Sequence, residues 1–385
     1  MSGPGDPVLD ALSPWLGRST RDRPGVLLAV SGGPDSTALM HAAAILGRAT
    51  GASVQVATVD HGLRAGSDAE AHAVSQAARS LGLVHAILPW SGPKPGTGLQ
   101  DAARNARYAL LAAQAEAIGA GLVLTAHTQD DQAETVLMRL AAGSGLAGLA
   151  GMRAERALAP GLRLGRPFLH LPKSALVAWC QASGLPYLRD PANVNPRFAR
   201  ARLRAAWPVL EREGLTPARL ARLAARAARD EAALRSAAAR ALDTALLPGA
   251  ATGAVLCLDG AALAALPDAV ALRCLDLALS RAGGAPRRLE RLEALVLESL
   301  LPALRRGAPI RRTLAGLLVA AEADGTVRFA PAPPRRRRAA DAALAAGAPE
   351  LLGNGDTPAY IGEVCTDGPE QPRGGSVLGV AHAKD

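Results

Sequence analysis

Residues 27–41 read LLAVSGGPDSTALMH, the stretch that most narrows what this chain can fold into. An apolar run stops at Ser31, two glycines, a proline and an aspartate follow, and apolar residues resume at helical spacing through Leu39 and Met40. A buried strand that becomes a helix this abruptly puts unpaired N–H groups and a positive dipole end at the strand tip. Such a tip binds anions, most often a phosphate, and Gly32 and Gly33 let the backbone come close to one. Ser31, Ser36 and Thr37 add hydroxyls. Gly-x-x-x-x-Gly-Lys-[Ser/Thr] appears nowhere in the chain and the stretch at 31–36 does not read Gly-x-Gly-x-x-Gly, so this is neither of the usual nucleotide loops. Asp35 would repel a phosphate unless a metal ion or a substrate cation lies between them, which makes it a magnesium-linked or catalytic candidate. The plain alternative is an acidic residue favouring the helix dipole at a tight turn.

The residues around this loop alternate between two periods. Strands are predicted at 26–30, 53–59, 84–90 and 122–126, and helices at 35–50, 67–81, 99–118 and 129–141. That rhythm implies an α/β fold, a doubly wound parallel sheet with helices on both faces, whose ligands bind beyond the carboxyl ends of the strands. SGGPDS, DHGLR at 60–64 and HTQDDQAET at 127–135 all fall at such ends. A glycine-rich connector at 143–151 leads to a further helix from residue 172 and a loop at 190–198, where Asp190 and Asn193 suit a turn. From Thr216 and Pro217 the pattern is that of a smaller, mainly helical domain. The domains expected are 1–213, 214–330 and a basic linker with a disordered tail at 331–385.

The formal charge is +9, and residues 197–240 hold eleven arginines against four acids. An imbalance confined to one segment favours a polyanionic partner over an ordinary solvated face. Arg219, Arg222, Arg226 and Arg229 recur at three- and four-residue steps, which puts them on one helical stripe. The cysteines, Cys180, Cys257, Cys274 and Cys365, form no Cys-x-x-Cys pair and no metal-ligand spacing. No apolar run reaches spanning length and residues 1–20 lack a signal-peptide pattern, so the expectation is a cytoplasmic protein without a membrane partner.

The second chemical motif is HTQDDQAET. His127, Asp131 and Glu134 share one face of a helix beginning near Thr128, with Asp130 beside them, and converge on the strand ends that carry the phosphate loop. Together these features indicate nucleotide chemistry. The loop resembles that of the PP-loop ATP pyrophosphatases. VDHGLR at 59–64, DAARNARY at 101–108, AHTQDDQAET at 126–135, GSGLAGLAGM at 143–152 and RPFLHLPKSAL at 166–176 are similar, in order, to the tRNA(Ile)-lysidine synthetase family over residues 24–215. Two departures stand out. Ala201 follows Arg200 where that family commonly has asparagine, and little after residue 335 is similar to the further C-terminal domain of its longer members.

The resemblance implies ATP and Mg2+ as cofactors, free L-lysine and a tRNA(Ile) with a CAU anticodon as partners, and leaves room for a homodimer. Ser31, Gly32, Gly33, Pro34, Asp35 and Ser36 would hold ATP and its pyrophosphate, with Asp35 the metal ligand. Lysine would bind Asp131 and Glu134. Asp35, His127 and Asp131 would be catalytic, although which of His127, Asp131 and Glu134 binds lysine and which deprotonates it stays open. At pH 7 freeing an amine of pKa about 10.4 costs roughly 4 to 5 kcal/mol, so one of them has to help. Arg200, Arg204 and the stripe at Arg219, Arg222, Arg226 and Arg229 would meet tRNA, and Arg104 and Arg107 are candidates for phosphate or nucleotide. A PP-loop sulfurtransferase, a small-metabolite amidotransferase or ligase, and a catalytically silent tRNA-binding protein are the competing readings.

Overall fold

The computed structural model describes residues 5–17, 25–64, 66–188, 197, 199–248 and 255–333. They form two compact units, one of residues up to Thr244 with Leu266–Cys274, the other of Ala245–Ala265 with the chain from Leu275. The first begins α1 (Pro7–Leu16), β1 (Gly25–Ala29), α2 (Pro34–Thr50), β2 (Val54–Asp60), α3 (Ser67–Ser80), β3 (Val84–Pro89), α4 (Leu99–Ala117) and β4 (Ala120–Thr125). It continues through α5 (Gln129–Ala141), α6 (Leu146–Leu149), β5 (Glu155–Ala159), β6 (Leu162–Gly165), α7 (Lys173–Ala182), α8 (Ala199–Arg212) and most of α9 (Pro217–Ala245).

Its six strands lie in the order β3-β2-β1-β4-β6-β5, parallel except for the β5–β6 hairpin. Every residue of β4 is buried, as a strand covered on both faces requires. Side chains of β1 alternate between two cores. Val26 and Leu28 join Leu12, Leu39, Phe168 and Leu176 on one face, and Leu27 joins Leu111, Val123 and Leu164 on the other. The strand order reverses between β1 and β4, so the loops that follow these two strands flank a crevice at the switch point. A third cluster joins Ala133, Val136 and Leu137 of α5 to Leu220 and Ala224 of α9, fixing the acidic helix against the arginine-bearing one.

The sequence reading omitted two parts of this unit. Helix α1 starts where the Asp6 carboxylate accepts from the amides of Val8 and Leu9 at 2.9 and 3.1 Å, with Pro7 as its first residue. Trp179 Nε1 donates to the same carboxylate at 2.7 Å and ties α1 to α7. The β5–β6 hairpin is short and half polar, and its strand character comes from pairing with β4 more than from local pattern.

In the second unit β7 (Leu256–Asp259), β8 (Ile310–Leu314), β9 (Leu317–Ala321) and β10 (Thr326–Pro331) form an antiparallel sheet in the order β7-β10-β9-β8. With it go α10 (Gly260–Ala264), the later part of α11 (Asp268–Arg281), α12 (Leu289–Leu295), a π-turn at Val296–Leu300 and α13 (Leu301–Arg305). The helical expectation left the sheet out, because strands of four to six residues rich in Leu and Ala look like helix in sequence. Among the described residues no helix is long and apolar enough to cross a membrane. Asp190, Asn193, Cys365 and the expected disordered tail lie outside the described residues.

Candidate active site

The loop after β1 has the geometry of an anion cradle. Gly32 sits at φ +83°, and a Cβ there would come within 2.6 Å of Leu188 Cδ1, so both conformation and packing demand glycine. A Cβ on Gly33 would meet nothing nearer than Ser31 Oγ at 4.0 Å, so it would project into the space in front of the loop. Ser36 Oγ accepts from the Ser31 amide at 3.2 Å and donates to Gly33 O at 3.0 Å, and Thr37 Oγ1 donates to Gly32 O at 3.2 Å. Two of the three hydroxyls therefore brace the turn. Pro34 opens α2, and Asp35 follows in its first turn.

Asp35 meets a partner that the sequence reading passed over. Lys173 Nζ forms an ion pair with Asp35 Oδ2, while the Lys173 amide donates to Asp130 Oδ2 at 2.7 Å. One residue thus joins the loop, α5 and the start of α7. Burial pushes the Asp35 carboxyl up, Lys173 opposes that, and Asp131 and Asp130 add to the rise. Asp35 Oδ1 is buried without a hydrogen-bond partner. A free carboxylate oxygen suits Mg2+, which commonly takes one or two carboxylates and completes its shell with water and phosphate oxygens. Among the described residues no group of three or more His, Cys, Asp or Glu could hold a metal.

The acidic face comes together as its spacing implied, with an unequal division of labour. Asp131 closes a capping box: its Oδ2 accepts from the Thr128 amide at 2.8 Å and from Thr128 Oγ1 at 3.0 Å. Burial would raise Asp131, yet His127 and these two bonds bring it below the usual carboxylate value. His127 Nδ1 lies 2.9 Å from Thr125 Oγ1, and burial holds the ring below the ordinary imidazole value. It is neutral at pH 7. Glu134, 1% exposed, is pushed up by burial and held back by Arg204, whose Nε donates to Oε1 at 2.6 Å.

The arginines divide as well. Arg204 turns inward to Glu134 and stands 3.9 Å from Asp131, and Arg200 Nε is 3.9 Å from Glu134. Ala201, at the position where asparagine was expected, is the buried residue of α8. Arg219, Arg222, Arg226 and Arg229 are exposed along α9, opposite its buried Leu220, Ala224 and Ala227. Arg222 also borders a cleft of about 1170 Å³ with Trp15 and Gln132. That cleft lies on the Gln129–Gln132 side of α5, and none of Asp35, His127, Asp131 or Glu134 lines it.

Known proteins are similar to this chain over most of its length. A PP-loop domain family matches residues 11–210. A tRNA(Ile)-lysidine synthase from Methylobacterium sp. strain 4-46 is 57% identical over 335 residues, covering 86% of this chain and 96% of the relative. The chain belongs to the tRNA(Ile)-lysidine synthase family. Synthases from Methylobacterium nodulans and Salinispora tropica are 55% and 43% identical, over 84% and 73% of this chain and 95% and 83% of theirs. The match runs past the PP-loop domain into the second unit, and this synthase-family chain is a PP-loop enzyme that uses ATP.

Proposed function

We propose that the chain attaches free lysine to C2 of the wobble cytidine in the CAU anticodon of tRNA(Ile), in two steps at the crevice between β1 and β4. In the first, the cytidine C2 oxygen attacks the α phosphorus of ATP, an O–P bond forms, and the bond to the β phosphate breaks to release pyrophosphate. In the second, the lysine ε-nitrogen forms a bond to C2, the C2–O bond breaks, AMP leaves with the oxygen, and the nitrogen gives up a proton.

The observation that carries this reading is the bridge made by Lys173. It ties Asp35 of the phosphate loop to Asp130 in the first turn of α5, beside Asp131 and Glu134 and next to His127, which precedes the helix. An anion cradle and an amine-binding acidic face are what these two steps need side by side. Gly32, Gly33 and the α2 N-terminus hold pyrophosphate, and Lys173 lies next to Asp35 to neutralise charge that develops on the phosphates. Asp35 would hold Mg2+ through its unpartnered Oδ1, and the ion, when bound, supplies positive charge to the phosphate oxygens. Asp131 and Glu134 hold the lysine ammonium. His127, buried and neutral, takes the proton as the new C–N bond makes the nitrogen acidic. The α9 stripe tracks tRNA phosphates.

Sulfur transfer is the reading this one displaces. Cys180 reaches the loop, where its thiol donates to Pro34 O at 3.4 Å, but burial pushes that thiol up, away from the reactive thiolate. Purified protein with ATP, Mg2+, lysine and a CAU-anticodon transcript should add one lysine to one cytidine with release of AMP and pyrophosphate. Nuclease digestion and mass spectrometry of the nucleoside decide it, and a sulfur-sized gain or a Cys180-dependent reaction would overturn the assignment.

A further inference from the structure

Four guanidiniums of the first unit gather where no acid answers them. Arg104 and Arg156 lie over the Tyr108 ring at 5.2 and 4.9 Å from its centroid. Arg166, 3% exposed, hydrogen-bonds the Tyr108 hydroxyl and donates from Nη1 to Arg153 O at 2.6 Å, yet its Nε has no partner. Arg107 Nη2 donates to His61 Nε2 at 3.2 Å. Among the described residues none of Arg104, Arg107, Arg156 and Arg166 forms an ion pair with a carboxylate. Burial lowers the pKa of Arg107 and of Arg166, and neighbouring charge adds to it: Arg104 acts on both, and Arg156 on Arg166.

The row continues in an aromatic direction. The ring of Trp90 meets His61 edge to face, with centroids 5.9 Å apart, and Lys94 Nζ stands 3.8 Å from the Trp90 centroid. Trp90 follows β3 at the carboxyl edge of the sheet and is half-buried, and it belongs to none of the core clusters described above. At the other end of the row Arg104 and Arg166 act electrostatically on His127, so the strip ends at the proposed reaction centre.

We propose that this strip, from Trp90 through His61 and Arg107 to Tyr108, holds the single-stranded anticodon loop beside the reacting cytidine. Trp90 stacks on a neighbouring base, and Arg104, Arg107 and Arg156 take loop phosphates, with Tyr108 fixing two of their planes. Clustered cations without acids need an external polyanion, and interleaved aromatics suit unpaired bases. The inference rests on the reading of an anticodon loop as substrate.

The test uses the full chain and a synthetic anticodon stem–loop RNA, without ATP or lysine, so it stands apart from whether lysine is ever attached. Arg104→Gln with Arg156→Gln should flatten the log–log salt dependence of binding by about 1.4 units, the value for two phosphate contacts on a single strand. Trp90→Ala should weaken binding about tenfold, and Trp90→Phe should restore most of it. Equilibrium binding of ATP, measured on the same variants, should stay within about twofold of wild type. Unchanged hairpin binding in these variants overturns the proposal. So does a loss of ATP affinity with hairpin binding intact, which would give the ring to the adenosine.

Discussion

Replacing Arg204 with methionine tests how the acidic face is held together. The change removes a guanidinium that donates to Glu134 Oε1 at 2.6 Å and to Oε2 at 3.3 Å, and leaves a carboxylate that is 1% exposed. Breaking a buried pair by deleting one partner costs about 3 to 5 kcal/mol. Arg204 is 34% exposed on its side chain and Arg200 still stands 3.9 Å from Glu134, so solvent and a second cation reduce the figure. We expect about 2 kcal/mol at pH 7. The sign with pH follows from Glu134. Burial already raises its folded pKa above the unfolded value of 4.5, and losing Arg204 raises it further. A group raised in this way favours the folded state below its unfolded pKa and loses that contribution as pH rises through the folded value. The deficit of the variant should therefore be small near pH 4 and open toward neutrality. Urea unfolding at several pH values measures it, and Glu134→Gln in the same chain should recover most of the loss. A deficit that does not depend on pH, or a double variant worse than Arg204→Met alone, would refute the reasoning.

Asp35→Ala should reduce pyrophosphate release by well over tenfold, about 1.4 kcal/mol or more in barrier, while filter binding of tRNA stays near wild type. Neutralising Arg222 and Arg226 together should flatten the salt dependence of tRNA binding by roughly one to two log–log units, and an unchanged slope would make the α9 stripe an ordinary solvated face. Because burial lowers the His127 pKa, single-turnover lysine transfer should keep its rate as pH falls through 6.5. Asp131 acts to raise that pKa, so Asp131→Asn should move the acidic limb to still lower pH; a limb moving upward would remove His127 as the base.

Legibility followed the reach of the signal. Strand-to-helix alternation is a short-range pattern, so the parallel sheet and both motif loops could be read from the sequence, within a residue or two at their ends. The face shared by His127, Asp131 and Glu134 follows from helical spacing alone. Lys173 could not be found this way, since it lies 138 positions from Asp35 and only the return of α7 to the sheet brings them together. Its rarity was the available clue: it is one of three lysines, with Lys94 and Lys384, in a chain whose bases are otherwise arginine. Arg204 was read as a tRNA contact, and its pairing with Glu134 went unseen for the same reason, because an isolated arginine does not reveal that its helix will lean on a buried glutamate. The antiparallel sheet of the second unit was hidden by composition, for Leu and Ala serve a helix as readily as a four-residue strand.

The pairing of Lys173 with Asp35 bears on self-recognition. A catalyst that accepts a free amine as nucleophile must deny its activated ester to amines of its own. Lys173 is the lysine side chain tied into this crevice, and an ammonium engaged by a carboxylate has no lone pair to offer. Arginine elsewhere removes other internal competitors, since a guanidinium stays protonated under any condition the protein meets. The same carboxylate that orients the phosphates would thereby keep substrate lysine distinct from the protein's own.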